Sequence, residues 1–380
     1  MKIAIFTDTY YPEVNGVART LKRFTDYLNE QDIEVKVFAP MSDSKEYVSS
    51  HIHRFKSLSF FLYPECRLAF PNMHKIRAEL ERFAPDIIHV ATPFNIGWCG
   101  SYYAKKLNIP LVGSYHTDFD YYLQYYDLQF LSNPLWSYMK WFHRPFQKLY
   151  VPSLVTKNQL EDKGFSDIEI WTHGVDCELF NPYYNKNIVQ ERYQVSKKFM
   201  LTYVGRLAPE KNVDLLVEMA KSIPKEWSEQ IQWVIVGDGP SRSKMEDVAP
   251  SNMTFTGFLK GEELAEVYAA SDLFIFPSSS ETFGNVVLEA LASGTPVVGV
   301  NAGGVRNIVQ EGITGYLCEP SQSTEMMNTI QQLLENDRVR NRMGLEGRKY
   351  ALSQKWDVIF ENLLYSYSTV LNDPSKQKYA

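Results

Sequence analysis

The feature that most constrains this chain is an alternation. Short unbroken apolar runs are separated by stretches whose apolar residues recur every three or four positions. Ile3–Phe6 ends in polar Thr7, Asp8 and Thr9, and Asn15-Gly16 then opens a helical pattern through Val17, Leu21, Phe24 and Leu28. Further strand candidates are Val35–Phe38, Ile87–Val90, Leu111–Tyr115, Leu149–Val151 and the weaker Ile168–Thr172. A strand covered on both faces must be apolar at nearly every position, and parallel neighbours need a long crossover, usually a helix. The alternation therefore predicts an α/β fold built on parallel sheet.

The periodicity lapses into polar and aromatic residues around Asn181–Ser196, which reads as a linker. It restarts with Met200–Val204, a helix from Asn212 to Lys221, Trp233–Val236, Met253–Phe255, Leu273–Phe276, Val297–Val300 and Tyr316–Leu317. Two doubly wound, Rossmann-like domains are expected, at 1–185 and 196–355. The length agrees, since a chain of 380 residues exceeds the roughly 250–300 at which single cores stop growing. A final segment, 356–380, holds a helix over Trp356–Leu371 whose apolar residues suit capping either domain.

Composition excludes several classes. With 44% hydrophobic and 22% charged residues the chain is globular and not disordered. A net charge of −6 argues against a nucleic-acid binder. The charge is uneven, because residues 51–150 carry 11 Lys+Arg against 7 Asp+Glu, and this hints at a surface with its own partner. No run of about 20 apolar residues is present to span a membrane, and the apolar run after Met1 is too short for a signal peptide. A cytoplasmic chain is expected. Cys66, Cys99, Cys177 and Cys318 form no CxxC pair, so idle thiols fit better than zinc ligands or disulfides.

Ligands of open parallel sheets bind beyond the carboxyl ends of the strands, and two such sheets facing each other make a central cleft. After Met200–Val204 comes Gly205-Arg206-Leu207-Ala208-Pro209-Glu210-Lys211-Asn212. Arg206 and Lys211 in one short loop before a helix suit a diphosphate; the plainer reading is two solvated cations. Gly237-Asp238-Gly239-Pro240 lacks the third glycine of a dinucleotide fingerprint and reads as a tight turn, with close approach to a ligand second. After Leu273–Phe276 a polar loop carries Glu281, and Gly284 and Asn285 open a helix that Gly294 closes. The N–H groups of Gly284, Asn285 and Val286 would point at an anion. Glu281, just outside this helix, and Glu289, two turns inside it, are suited to accept from sugar hydroxyls. Gly303-Gly304 offers another close backbone approach. In the first half, Gly16 sits in a loop able to lend N–H groups across the cleft, or simply starts a helix. His116 ends the strand Leu111–Tyr115.

Together these residues resemble the retaining family-4 glycosyltransferases of the GT-B fold, over essentially the whole chain. The marks are Gly16, the strand-end His116, the G-R-x-x-x-E-K loop of Gly205, Arg206, Glu210 and Lys211, and Glu281-x7-Glu289. The chain is similar in character to members acting on lipid acceptors: GDP-mannose-dependent α-mannosyltransferases and sulfoquinovosyl- or glucosyl-diacylglycerol synthases. The H-T-D-F run at His116–Phe119 leans towards the mannosyltransferases. The resemblance implies that Arg206 and Lys211 hold the donor diphosphate and that Gly16 approaches it from the other domain. It implies that Glu281 binds donor-sugar hydroxyls, Glu289 the ribose, and the backbone at Phe258 and Leu259 the base. His116 would contact the donor sugar near its reacting carbon, so His116 and Glu281 are the catalytic candidates. The last helix would cross back onto the first domain.

The donor is thus expected to be GDP-mannose or a UDP-hexose, and the acceptor a lipid or glycan. Asp118-x-Asp120 is a motif that binds a nucleotide-bridging metal in another class of glycosyltransferases. Cations already neutralise the diphosphate here, so neither metal nor cofactor is expected. No nucleophile is evident on the far face of the sugar, which favours same-face attack by the acceptor with retention. Phe119–Tyr150 contains 12 aromatics in 32 residues, with Lys140, Arg144 and Lys148 among them. That mix suits peripheral contact at the inner face of a membrane, or equally a helical pair buried in the first domain. Arg54–Arg77 is similar. Rival readings are a nucleotide-sugar epimerase, a transferase with a soluble acceptor, and a sugar-nucleotide sensor.

Overall fold

The computed structural model describes residues 1–13, 15–41, 51–59, 67–115, 130, 132–279, 281, 283–320 and 322–373. The chain divides into two compact units, Met1–Thr172 with Ile359–Ala380, and His173–Val358.

The first unit runs β1 (Lys2–Phe6), α1 (Gly16–Glu30), β2 (Glu34–Pro40), β3 (Ile52–Phe55), β4 (Ser57–Ser59), β5 (Arg67–Ala69), α2 (Met73–Phe83), β6 (Ile87–Val90), α3 (Asn95–Leu107), β7 (Leu111–Ser114), α4 (Ser132–His143), β8 (Lys148–Val151), α5 (Leu154–Asp162) and β9 (Ile168–Ile170). Seven strands form one parallel sheet in the order β3-β2-β1-β6-β7-β8-β9. Ile3–Phe6 and Ile87–Val90 are buried throughout, as strands covered on both faces require. The Asn15 side chain accepts from the Ala18 N–H at 2.8 Å and caps α1, which buries Ala18, Leu21, Phe24 and Leu28. Chain order reverses beside β1: the fold first winds outward to β2 and β3, then returns to β6 on the other side.

The second unit runs α6 (Lys186–Arg192), β10 (Phe199–Val204), α7 (Asp214–Ser222), α8 (Lys225–Ser228), β11 (Ile231–Val236), α9 (Arg242–Val248), β12 (Met253–Gly257), α10 (Gly261–Ala270), β13 (Leu273–Phe276), α11 (Asn285–Ala292), β14 (Val297–Val300), β15 (Gly315–Cys318), α12 (Ser323–Glu335) and α13 (Asp337–Leu352). Its parallel sheet has the order β12-β11-β10-β13-β14-β15. Every residue of β10 and β11 is buried. The order reverses between β10 and β13.

Residues 181–196 are not a free linker. They include α6, and Val189 and Val195, with Phe180 just before the segment, belong to the second unit's core. Arg192 pairs with Glu266 at 2.6 Å. A seven-residue helix that buries only Val189 leaves too little apolar periodicity to be read from sequence.

The last helix, α14 (Trp356–Leu371), packs on the first unit from Ile359 onward. Phe360 meets Phe24 and Tyr27 at ring distances of 5.1 and 5.3 Å. The Tyr367 hydroxyl hydrogen-bonds His89 Nδ1 in β6, while His89 Nε2 lies 3.0 Å from Ser114 Oγ. His89 is wholly buried, and burial pushes its pKa down to about 3. Tyr367 thus supplies one of the two partners that a buried imidazole needs. Cys99, Cys177 and Cys318 are buried free thiols; Cys66 lies outside the described residues. Among the described residues no helix is long and apolar enough to cross a membrane.

Candidate active site

In the second unit the order reversal brings together the loop after β10 and the loop after β13. Lys211 ends a short 3-10 turn, Pro209–Lys211, and its Nζ lies 2.8 Å from Glu281 Oε2. Both side chains are about four-fifths covered, with 22% and 23% of their surface exposed. Arg206, from the same loop, is exposed and stands 3.6 Å from Glu210 Oε1.

The tight turn expected at Gly237-Asp238-Gly239-Pro240 is present, and here as at Gly303-Gly304 the close approach is to the chain's own backbone. A Cβ on Gly237 would lie 1.9 Å from the Gly205 carbonyl oxygen, so the Gly-Asp-Gly-Pro turn packs on the β10 loop. Gly303 has φ +56°, and a Cβ there would lie 2.2 Å from the carbonyl oxygen of Glu281. Gly304 donates its N–H to that same oxygen at 2.7 Å. The backbone of Glu281 is therefore gripped from the β14 side while its side chain meets Lys211.

Gly284 is the N-cap of α11. The N–H groups of Gly284, Asn285 and Val286 have no acceptor among the described residues, which is the usual state of a helix start. Asn285 Oδ1 accepts from His173 Nδ1 at 3.2 Å, and the His173 ring packs 4.9 Å from Phe283. Desolvation lowers the His173 pKa against the opposing effects of Asn285 and Glu281. Glu289 is one turn into α11, four residues after Asn285, and not two turns in as expected. It accepts from the buried Tyr268 hydroxyl at 3.0 Å, and burial followed by this carboxylate raises the Tyr268 pKa well above normal. Phe258, just beyond β12, is 74% exposed, and Leu259 beside it is partly buried against the core.

The equivalent reversal in the first unit is filled by the protein itself. Asp8, after β1, accepts from Thr92 Oγ1 at 2.7 Å and from the Ile96 and Gly97 N–H groups at 2.8 and 3.3 Å. It caps α3 from a distant loop. Burial drives its pKa up to about 6, against the lowering effect of those hydrogen bonds. Gly16 begins α1, is exposed, and has nothing within 4 Å of where a Cβ would stand. His116, Asp118 and Asp120 lie outside the described residues. Among those described, no group of three His, Cys, Asp or Glu residues could hold a metal ion.

The aromatic run divides. Trp136, Phe142, Phe146 and Tyr150 are core, whereas Phe130, Tyr138 and Trp141 are exposed. Residues 119–129 lie outside the described set, as do Phe60, Phe61 and Tyr63. Arg67 is buried and stands 3.5 Å from Glu13, so it is not part of a basic surface.

Asp8, His173 and Tyr268 did not stand out in the sequence as site residues. His173 had one signal, its place just past the strand Ile168–Ile170. Asp8 was visible as a polar strand end, but its work on α3 spans 88 positions.

Two Rossmann-like domains, each with a strand-order reversal in its parallel sheet, are the architecture of the GT-B glycosyltransferases. Residues 14–179 match the model "Glycosyltransferase Family 4", and residues 185–350 match "Glycosyl transferases group 1". A GDP-mannose-dependent alpha-mannosyltransferase of Mycobacterium tuberculosis is 32% identical over 97% of both chains. An alpha-monoglucosyldiacylglycerol synthase of Streptococcus pneumoniae is 30% identical over 83% of this chain and 75% of that one. Among solved structures, Anabaena HepE in complex with UDP superposes with a TM-score of 0.77 at 19% identity, covering 97% of this chain and 100% of that one. The chain belongs to the family-4 glycosyltransferases.

Proposed function

We propose that this enzyme moves a hexose, with mannose favoured, from a nucleoside diphosphate sugar to a membrane lipid or glycolipid, with retention at the anomeric carbon. The observation that carries this reading is the Lys211–Glu281 pair beside the open start of α11. Lys211, Arg206 and the N–H groups of Gly284, Asn285 and Val286 offer five donors to a diphosphate. Preorganised donors of this kind stabilise charge growing on a leaving phosphate, and each is worth roughly 10²–10³ in rate. The corresponding helix start in the first unit, α3, already holds the Asp8 carboxylate, which argues for the second unit as the donor side.

In this reading Glu281 anchors the Lys211 ammonium and accepts from a sugar hydroxyl, since a carboxylate has about four lone-pair sites. Glu289 accepts from the ribose, and exposed Phe258 with Leu259 meets the base. Gly16, beside open space, and His116 belong to the same proposal as donor contact and catalytic residue. The named activities of the mycobacterial and streptococcal relatives support mannose as the sugar and a diacylglycerol-type lipid as the acceptor. No metal takes part: the leaving diphosphate is neutralised by side chains and N–H groups.

The test is direct. The protein is incubated with GDP-mannose or UDP-glucose and a lipid extract, with and without EDTA, and the product anomer is read by NMR. An α-linked glycolipid formed equally well with EDTA supports the proposal. Interconversion of the free donor without acceptor would make the protein an epimerase, and a requirement for a divalent ion would restore Asp118 and Asp120 as ligands.

A further inference from the structure

A groove of about 770 Å³ runs along the outer face of the first unit between α3 and α4. Trp98, Tyr102 and Lys105 line it from α3 at spacings of four and three, one face of that helix. Trp141 and Arg144 line it from the end of α4. Outer helix faces in α/β units are ordinarily polar, yet here Trp98 and Tyr102 are exposed and stacked at 5.6 Å, and Trp141 is 60% exposed. The groove extends to Asn108–Leu111 and Gln147, at the amino ends of β7 and β8. That is the opposite end of the sheet from Asp8 and Thr92, so the groove is not the ligand crevice of this fold.

The charge on the segments that line it has one sign, while Glu81 of α2, paired with Arg77, lies near Tyr103 on the neighbouring face of α3. Lys105, Lys106, Lys140 and Arg144 are all exposed, and neither 95–115 nor 132–148 contains a single Asp or Glu. Aromatic rings with polar edges beside exposed cations are the composition of a membrane interface, and the volume falls in the range that takes one small ligand.

We propose that this groove seats one anionic phospholipid of the bilayer, its chains against Trp98, Tyr102 and Trp141 and its phosphate at Lys105 and Arg144. The site is separate from the donor site, and it deepens, and rests on, the reading of the acceptor as a membrane lipid. Seating a bilayer lipid there would hold the first unit against the surface from which the acceptor is drawn.

The experiment uses the full chain with vesicles of phosphatidylglycerol and phosphatidylcholine, or phosphatidylcholine alone, carrying brominated acyl chains. Binding is expected only to the anionic vesicles and only at low salt, because such attraction is screened over about 10 Å at 0.1 M. Bromine should quench tryptophan emission, and Trp98→Phe with Trp141→Phe should remove most of the quenching. Lys105→Glu with Arg144→Glu should lower vesicle partition by on the order of tenfold or more. The reciprocal swap, Lys105→Arg with Arg144→Lys, should keep it. Thermal shift by GDP and UDP reports folding and donor binding, and should be unchanged in all variants. Suppose the charge-reversed variant binds vesicles as well as the parent while a detergent-solubilised lipid is still glycosylated. The groove proposal then fails and the functional reading stands. Groove-dependent vesicle binding with glycosylation of soluble acceptors alone would overturn the acceptor reading and leave the groove in place.

Discussion

Lys211 and Glu281 are 70 positions apart and meet at 2.8 Å, each on the loop that leaves one of two neighbouring strands, β10 and β13. For a pair this well covered, the cost of desolvating two charges offsets much of their attraction, so little net stability follows. The pair's effect is geometric: each charge fixes where the other stands, next to the open start of α11. The backbone of Glu281 is fixed independently by Gly303 and Gly304.

Lys211→Met and Glu281→Gln should separate binding from chemistry. Lys211→Met removes the proposed phosphate donor and should cut turnover by roughly 10²–10³ and weaken nucleotide affinity. Glu281→Gln keeps the shape and should lower turnover comparably while leaving GDP or UDP affinity within a few-fold. Steady-state kinetics with nucleotide titrations checks both. An equal loss of nucleotide affinity in Glu281→Gln would make Glu281 a support for Lys211 and not a reader of the sugar.

Gly303→Ala forces a Cβ at φ +56° to within 2.2 Å of the Glu281 carbonyl. It should cost about 1–3 kcal/mol of stability and also depress turnover by displacing Glu281. Gly312→Ala is the control, since Gly312 has φ +69° with nothing within 4 Å. That variant should lose stability alone. Parallel denaturation curves and kinetics distinguish the two, and normal turnover in Gly303→Ala would remove the glycine turn from the site.

His89 sets an acid limb. Its folded pKa of about 3 lies below the ordinary 6.5, so the unfolded chain binds the proton first. Stability is fully present above pH 6.5 and is lost as pH falls towards 3, at up to about 1.4 kcal/mol per unit from this residue. His89→Gln should be less stable at neutral pH but show a shallower acid slope. Urea denaturation between pH 7 and 4.5 reads the slope, and an unchanged one would contradict the assignment.

Asp8 acts with the opposite sign. Its folded pKa of about 6 lies above the ordinary 3.8, so its contribution is present below pH 3.8 and lost as pH rises through 6. Asp8→Asn, which keeps the oxygen that caps α3, should remove that loss. Its stability relative to the parent should therefore rise between pH 4 and 6, as followed by Tm against pH. A parallel pair of Tm curves would mean Asp8 is ionised throughout.

Much of this enzyme was legible from local pattern. Runs such as Ile3–Phe6, Ile87–Val90 and Trp233–Val236 are apolar because both sheet faces are covered, and that periodicity survives in sequence as parallel strands. The Arg206–Lys211 loop and the Glu281–Glu289 spacing were legible because each lies within one short stretch of chain. What tertiary structure alone decided is which distant groups meet. The order reversal between β10 and β13 joins Lys211 to Glu281, and the one beside β1 sends Asp8 to cap α3. The buried imidazole of His89 takes Tyr367 as a partner, which settles where the last helix docks. The glycines at 237 and 303 make room for backbone, a purpose no local pattern reveals. Likewise the aromatic run looked uniform in sequence, and only packing separated buried Trp136 from exposed Trp141. Burial and pairing depend on neighbours tens of residues away, so they are properties of the folded sheet and not of any segment.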